Sequence, residues 1–247
     1  MKAAITLVVA AFACLAEASA QPAPLVHLRD IDPSIRQDMR YAGSNNFTGR
    51  PLPGYDAAAC LLRRPVALAL KQVQADLVKA GYTLKVYDCY RPTRAVAAMA
   101  AWARNPRAVP DTSRFYPGLD KSKLFALGYI ASHSAHSRGV AIDLTVVPLN
   151  AKPAATFDPG KRYGPCTAPQ ADRAPDNSLD MGTGFDCFST KSWTASAAIT
   201  PAQKASRRVL WDAMHRHGFT NYKREWWHFS YDRADDGVAF DVPIKSR

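Results

Sequence analysis

Apolar positions change period several times along the chain, and each change marks an element. From Pro65 the segment PVALALKQVQADLVKAG sets Val66, Leu70, Val73 and Leu77 at helical spacing and runs out at Gly81, which predicts an amphipathic helix with a glycine stop. The run TLKVYDC follows as a strand, and RPTRAVAAMAAWARN reads as a second helix with Pro92 in its first turn. Gly139 to Val147 alternates, with Val140, Ile142 and Leu144 on one face and Ala141, Asp143 and Thr145 on the other, the period of a strand. Pro201 to His217 is a further amphipathic helix, with Val209, Leu210 and Met214 inward and Gly218 as its stop. EWWHFSY, from Glu225, then closes as an aromatic strand.

Less regular stretches lie between these elements. Residues 21–58 are rich in Pro, Asn, Gly and Asp, and NNFTGRPLPGY predicts an ordered loop around Phe47 and Tyr55, with Asn46-Phe47-Thr48 in the form of a glycosylation sequon. Residues 106–130 mix loop with a short helix near Lys123 to Leu127, and 148–200 form a long irregular excursion. Helices and strands without regular βαβ repetition predict the α+β class. No Gly/Ser linker or repeat divides the chain, so a single domain is expected.

The first residues carry a different pattern. Lys2, an apolar run from Ala3 to Leu15 and the small residues Ala18-Ser19-Ala20 read as a secretory signal cleaved after Ala20. That run is shorter than the roughly 20 residues a spanning helix needs, and no later segment is long and apolar enough. The expectation is an exported protein of the periplasm or cell envelope, without stable membrane insertion, whose domain covers 21–247. A lipid anchor on Cys14 is the rival, against which stands Ala11 where a leucine is usual. Loss of the segment leaves the formal charge of +11 unchanged, because Lys2 and Glu17 leave together. The Lys and Arg are scattered, with no interleaved aromatics, which suits a solvated surface rather than a nucleic-acid partner. Four cysteines remain, none in C-x2–4-C spacing, and an even count in an exported chain favours disulfides over a cysteine zinc site. Cys60 with Cys89 and Cys166 with Cys187 is the preferred connectivity, the second pair closing a Pro- and Asp-rich segment with little else to hold it.

Candidate chemistry gathers at two places. In SAHSRGVAIDLT, Asp143 lies on the strand face opposite the apolar residues, and the turn-prone Ser137-Arg138-Gly139 can fold His136 back beside it. Imidazole and carboxylate both suit zinc, although a His and an Asp at this spacing equally make a structural hydrogen-bonded pair. Glu225-Trp226-Trp227-His228 adds a third ligand type and a spare carboxylate; the plain alternative is sheet core with two polar residues at an edge. Residues three apart on a strand face opposite sides, so Glu225 and His228 share a site only if the chain bulges at the tryptophans or Glu225 lies in the preceding turn. His215 and His217 end a helix, where capping explains them. His133 would join His136 only in a helix, which Ser134, Ser137 and Gly139 disfavour. H-E-x-x-H and G-x-S-x-G are both absent.

Taken in order, NNFTGRPLPGY, VYDCYRPTRAV, GYIASHSAHSRGVAIDLT, MGTGFD and EWWHF resemble the zinc D,D-peptidase family, peptidase family M15, and within it the dipeptidases of the vancomycin-resistance type. The resemblance spans most of Tyr41 to Val242. It implies the D,D-peptidase/hedgehog-like fold, a central, mostly antiparallel sheet with flanking helices. It also implies one Zn2+ per chain held by His136, Asp143 and His228, with Glu225 as general base and Arg91 as stabiliser of the oxyanion. Ser134 would bind the substrate carboxylate and Asp186 the free ammonium, so the implied partner is a small dipeptide. From the residues alone, Arg91 reads as a surface position at a helix start, Ser134 as a turn cap and Asp186 as a loop cap. A carboxypeptidase on longer wall peptides and a non-catalytic wall-binding module stand as alternatives; Glu225 and Arg91 together speak against the latter. The stretch from Asp143 to Met181 is longer than in compact relatives, which leaves pocket shape open.

Overall fold

The structure, a computed structural model, describes residues 25–107 and 110–247. The expected signal segment and Cys14 lie outside the described residues. In chain order the elements are β1 (Leu25–His27), α1 (Leu28–Ile31), β2 (Arg36–Gln37), β3 (Leu61–Arg63), α2 (Arg64–Lys79), β4 (Tyr82–Asp88), α3 (Thr93–Arg104), β5 (Ala141–Pro148), α4 (Pro201–Arg216), β6 (Thr220–Asn221) and β7 (His228–Ser230). A five-stranded sheet runs β2-β4-β5-β7-β6, and β1 pairs with β3 beside it. Among the described strands β2 and β4 run parallel and the other pairs are antiparallel. This is a single α+β unit of the predicted class.

The helices form where the period placed them. Val66, Leu70, Val73 and Leu77 are buried on α2, which packs on β4 and against α4. Thr200 and Gln203 close a capping box on α4, satisfying two N–H groups that the helix start leaves unpaired. Leu210 and Met214 are buried on α4, while Val209 is only partly covered. Pro92 is the residue before α3 rather than part of its first turn. The helix expected near Lys123 to Leu127 is a single tight turn at Lys121–Lys123, continued only by turn hydrogen bonds to Gly128.

β5 sits in the middle of the sheet and is buried on both faces, so its alternation does not mark a solvent side. The second face is covered by the 148–200 excursion, which brings its own polar partners. Asp176 accepts from Lys85 Nζ at 2.7 Å and from the Tyr87 hydroxyl at 2.7 Å, and Phe185 stacks on Tyr87. Cys60–Cys89 and Cys166–Cys187 are bonded as expected, the second tying the excursion to itself. The loop around Phe47 and Tyr55 turns both of those rings into the core while Arg50, Pro51 and Pro53 stay exposed. Asn46 is its pivot, its amide donating to the Arg40, Gly43 and Arg50 carbonyls, so the sequon asparagine is structural.

The strand expected over EWWHFSY is shorter than predicted. Glu225 to Trp227 form a turn and pairing starts at His228, because both tryptophans are buried and Trp226 Nε1 donates sideways to Thr183 Oγ1 at 2.9 Å.

Candidate metal centre

Three neighbouring strands and one turn build the site. Asp143 on β5 pairs directly with His228 on β7, which puts their side chains together on one face. On the other flank a bulge between Val86 and Asp88 brings Asp88 into register with Asp143; in regular alternation Asp88 would share the face of Val86 and Leu84. His136 comes from the tight turn Ala135–Arg138 that leads into β5. Ser134 caps that turn, its Oγ accepting from His136 N at 3.2 Å, and Gly139 ends it at φ 68°. A Cβ at Gly139 would lie 2.5 Å from Leu25 Cδ2, so a side chain there would have to hold the left-handed backbone and push the end of Leu25 aside.

The resulting donor atoms converge. His228 Nδ1 lies 3.0 Å from Asp143 Oδ1, His136 Nε2 lies 3.3 Å from the same oxygen, and the two ring nitrogens are 3.2 Å apart. Ligands about 2.0–2.2 Å from a tetrahedral zinc stand roughly 3.3 Å from one another, so two nitrogens and one oxygen at these separations fit that ion. The tautomer agrees: His136 Nδ1 lies 2.7 Å from the Cys89 carbonyl, which only accepts, so Nδ1 carries the proton and Nε2 offers its lone pair. Burial opposes ionisation of Asp143, yet His136 and His228 hold it well below the usual carboxylate range. His228 is pulled down by burial and more than restored by Asp143, ending above an ordinary imidazole.

Glu225 stands beside this group, Oε2 3.8 Å from His228 Nδ1. It lies in the turn before β7, which removes the strand-parity objection. Burial pushes its carboxyl up to about 7. Arg91 also belongs to the site: its guanidinium is held by Asp88 at 2.8 Å, reaches to 3.6 Å from Asp143 and lies over the Tyr41 ring. The surface reading of Arg91 therefore gives way to a largely covered position with partners on three sides.

Asp186 is the described non-glycine residue with positive φ, at 57°. It is buried, accepts from the Tyr41 hydroxyl at 2.6 Å and has no cation within ion-pair distance among the described residues. Burial, and then the charge of Asp143, push it well above the carboxylate range. A pocket of about 270 Å3 brings Arg91, Ser134, Asp186, Glu225 and the three donor residues together. His133 lines only its exposed mouth, beside Ser132. His217 Nε2 bonds Asp76 and His215 stacks on Trp211, both away from the site.

Sequence reading passed over three residues here. Asp88 accepts from the Tyr55 hydroxyl at 2.6 Å and from Arg91, and its carboxylate lies 3.5 Å from His136 Nδ1; Tyr41 bonds Asp186. The spacing of Asp88 three before Arg91 was the one available signal.

Comparison with known proteins gives a consistent result. The peptidase M15 family model, described as D-ala-D-ala dipeptidase, matches residues 21–155 and 172–243. A D-alanyl-D-alanine dipeptidase of Enterococcus faecalis is 34% identical over 195 residues, covering 79% of this chain and 85% of that protein. One from Enterococcus faecium is 32% identical over 219 residues, covering 88% and 96%. That of Escherichia coli is 30% identical over 210 residues, covering 85% and 86%.

Proposed function

Since this chain belongs to the peptidase M15 family, we propose that it is a zinc-dependent dipeptidase that hydrolyses D-Ala-D-Ala. The observation that carries the reading is the meeting of His136 Nε2, Asp143 Oδ1 and His228 Nδ1 with a partly buried carboxylate, Glu225, at their side. His136, Asp143 and His228 would hold the ion. When bound, zinc supplies acidity to a water and polarises a carbonyl.

The chain's own residues do the rest. Glu225 takes the proton from the attacking water and returns it to the leaving amine, and its raised affinity for a proton suits both transfers. Arg91, kept rigid by Asp88 and Tyr41, aims fixed positive charge at the oxyanion, where one such donor typically lowers a barrier by about 3–4 kcal/mol. Ser134 binds the substrate carboxylate. Asp186 receives the free ammonium, which gives this buried acid the cation it lacks among the described residues.

Asp186 decides dipeptidase against carboxypeptidase. A longer peptide puts a neutral amide at that place and leaves a buried carboxyl poorly matched. Hydrolysis of D-Ala-D-Ala and of its N-acetyl derivative tests this: the free dipeptide should be cleaved and the acetylated one spared. Equal cleavage would favour a carboxypeptidase.

We place the enzyme outside the cytoplasm, with residues 1–20 as signal and 21–247 as the mature domain. The two disulfides support an oxidising compartment. There it would turn over wall-derived dipeptide, glycopeptide resistance being one use of the same reaction.

A further inference from the structure

Among the described residues three aromatic side chains stand exposed, Trp193 at 41%, Trp211 at 37% and Tyr222 at 39%, and all three belong to one surface beside the pocket mouth. Tyr222 lines the mouth itself. The next residue, Lys223, accepts at its carbonyl from Thr194 N at 3.0 Å, which holds Trp193 alongside. From there Arg207, on α4, donates to the Trp193 and Thr194 carbonyls, and Thr194, Lys204, Arg207, Arg208 and Trp211 line a pocket of about 360 Å3. Single apolar residues scattered over a surface are ordinary; every exposed aromatic gathered at one place is not.

The charge of this surface is one-sided. Arg207 is met by the carbonyls of Met181, Lys191, Trp193 and Thr194, and neither it nor Lys204, Lys223 or Arg224 has a carboxylate within ion-pair distance among the described residues. The acids nearby are already matched, Asp212 to Arg208 at 3.2 Å and Asp180 to Arg173, while Glu225 turns into the metal pocket. The rings are held as platforms. His215 stacks on one face of Trp211, centroids 4.5 Å apart, and the Arg224 guanidinium lies over Trp193 at 5.9 Å, so each exposed ring keeps its other face for a partner. A flat aromatic face packs against the C–H face of a sugar ring, and unmatched cations draw carboxylates. The pocket beside Trp211 falls within the roughly 300–1,000 Å3 of small-ligand sites, a concavity that suits a sugar ring set into it rather than a flat bilayer.

We propose that this surface binds the glycan strand of the wall, an acidic saccharide chain, with sugar rings on Trp193 and Trp211 and carboxylates against Lys204, Arg208, Lys223 and Arg224. The wall as source rests on the function proposed above; the binding chemistry does not. Holding the strand keeps the pocket mouth, at Tyr222, close to where wall-derived dipeptide arises.

Titration of fluorescently labelled, peptide-free glycan strands with the zinc-loaded protein at physiological salt tests it, with phosphatidylglycerol vesicles as the competing surface. Saturable binding is expected, about tenfold weaker for the Trp193→Ala, Trp211→Ala double variant and for strands whose carboxylates have been amidated, while hydrolysis of free D-Ala-D-Ala by the variant stays at the parent level. No binding, binding undiminished in the variant, or vesicles preferred to glycan would overturn the proposal, the last by making this a lipid surface. Should the double variant not fold, Lys204→Gln with Arg208→Gln, both at exposed positions of α4, decides: weaker binding with a shallower salt dependence supports the site, and unchanged binding refutes it. Glycan binding without dipeptide cleavage would refute the proposed activity and leave this surface standing; cleavage without binding does the reverse.

Discussion

Glu225 illustrates how position, rather than residue type, suits a carboxyl to the role of base proposed for it. Its partly buried carboxyl is pushed up to about 7 by desolvation, while Asp143, a few ångströms away, is held low by two imidazoles. Glu225→Ala should therefore lower kcat by about 10²–10⁴ with metal content unchanged, whereas His228→Ala should lose the metal; kinetics with elemental analysis separate the two. The base works ionised, so kcat/KM falls as pH drops through its pKa. A bound dication draws that pKa below 7, and a pH–rate profile should show the acid limb under pH 7; a flat profile down to pH 4 would contradict the role. Asp186→Asn should raise KM for the free dipeptide and narrow the gap to its acetylated form. His136, Asp143, His228 and Glu225 were legible from ligand chemistry, though not distinguishable from a structural pair. Arg91, Ser134 and Asp186 acquired roles only from the resemblance. Asp88, Tyr41 and Tyr55 were not read as part of the site, because their partners lie 33 to 145 residues away or depend on a bulge.

Among elements, the turn Ala135–Arg138 carries the tightest constraint, since it delivers one of the proposed ligands, His136, and launches the strand that bears another, Asp143. Gly139→Ala must hold φ at 68° and displace Leu25, so a loss of about 1–3 kcal/mol in denaturant unfolding is expected, together with weaker metal binding. Cys89 offers its carbonyl to His136 while its sulfur is tied to Cys60. Replacing both cysteines by serine should cost about 2–5 kcal/mol of stability and also reduce zinc affinity. The three long helices were legible because each buries a stripe at regular period. The last strand was misread at its start, since the aromatic run EWWHF looks the same whether its tryptophans lie in a ladder or in a turn packed on Thr183.

At the scale of the molecule, the α+β class could be read from the chain and the preferred one of three disulfide connectivities is the one formed, but the covering of β5 on its second face could not be read. That covering depends on the excursion, whose sequence has little period and whose anchor is polar: Asp176, partly buried among Lys85, Arg40 and Tyr87. These partners overcome burial and depress its pKa in the folded state. The stabilisation is thus present above the unfolded value of about 3.9 and is lost as pH falls from there toward the folded one. Urea unfolding at pH 7 and pH 3 should show a smaller acid-induced loss for Asp176→Asn than for the parent; equal losses would place the acid sensitivity elsewhere. The central claim is that one ion held by His136, Asp143 and His228 makes this pocket a D,D-dipeptidase. It is tested most directly by following hydrolysis of D-Ala-D-Ala and L-Ala-L-Ala as purified protein is stripped with chelator and then titrated with zinc. Activity on the D,D dipeptide alone, restored in full by one zinc per chain, is the predicted result; D,D cleavage that survives complete stripping, or none at any zinc level, would contradict it.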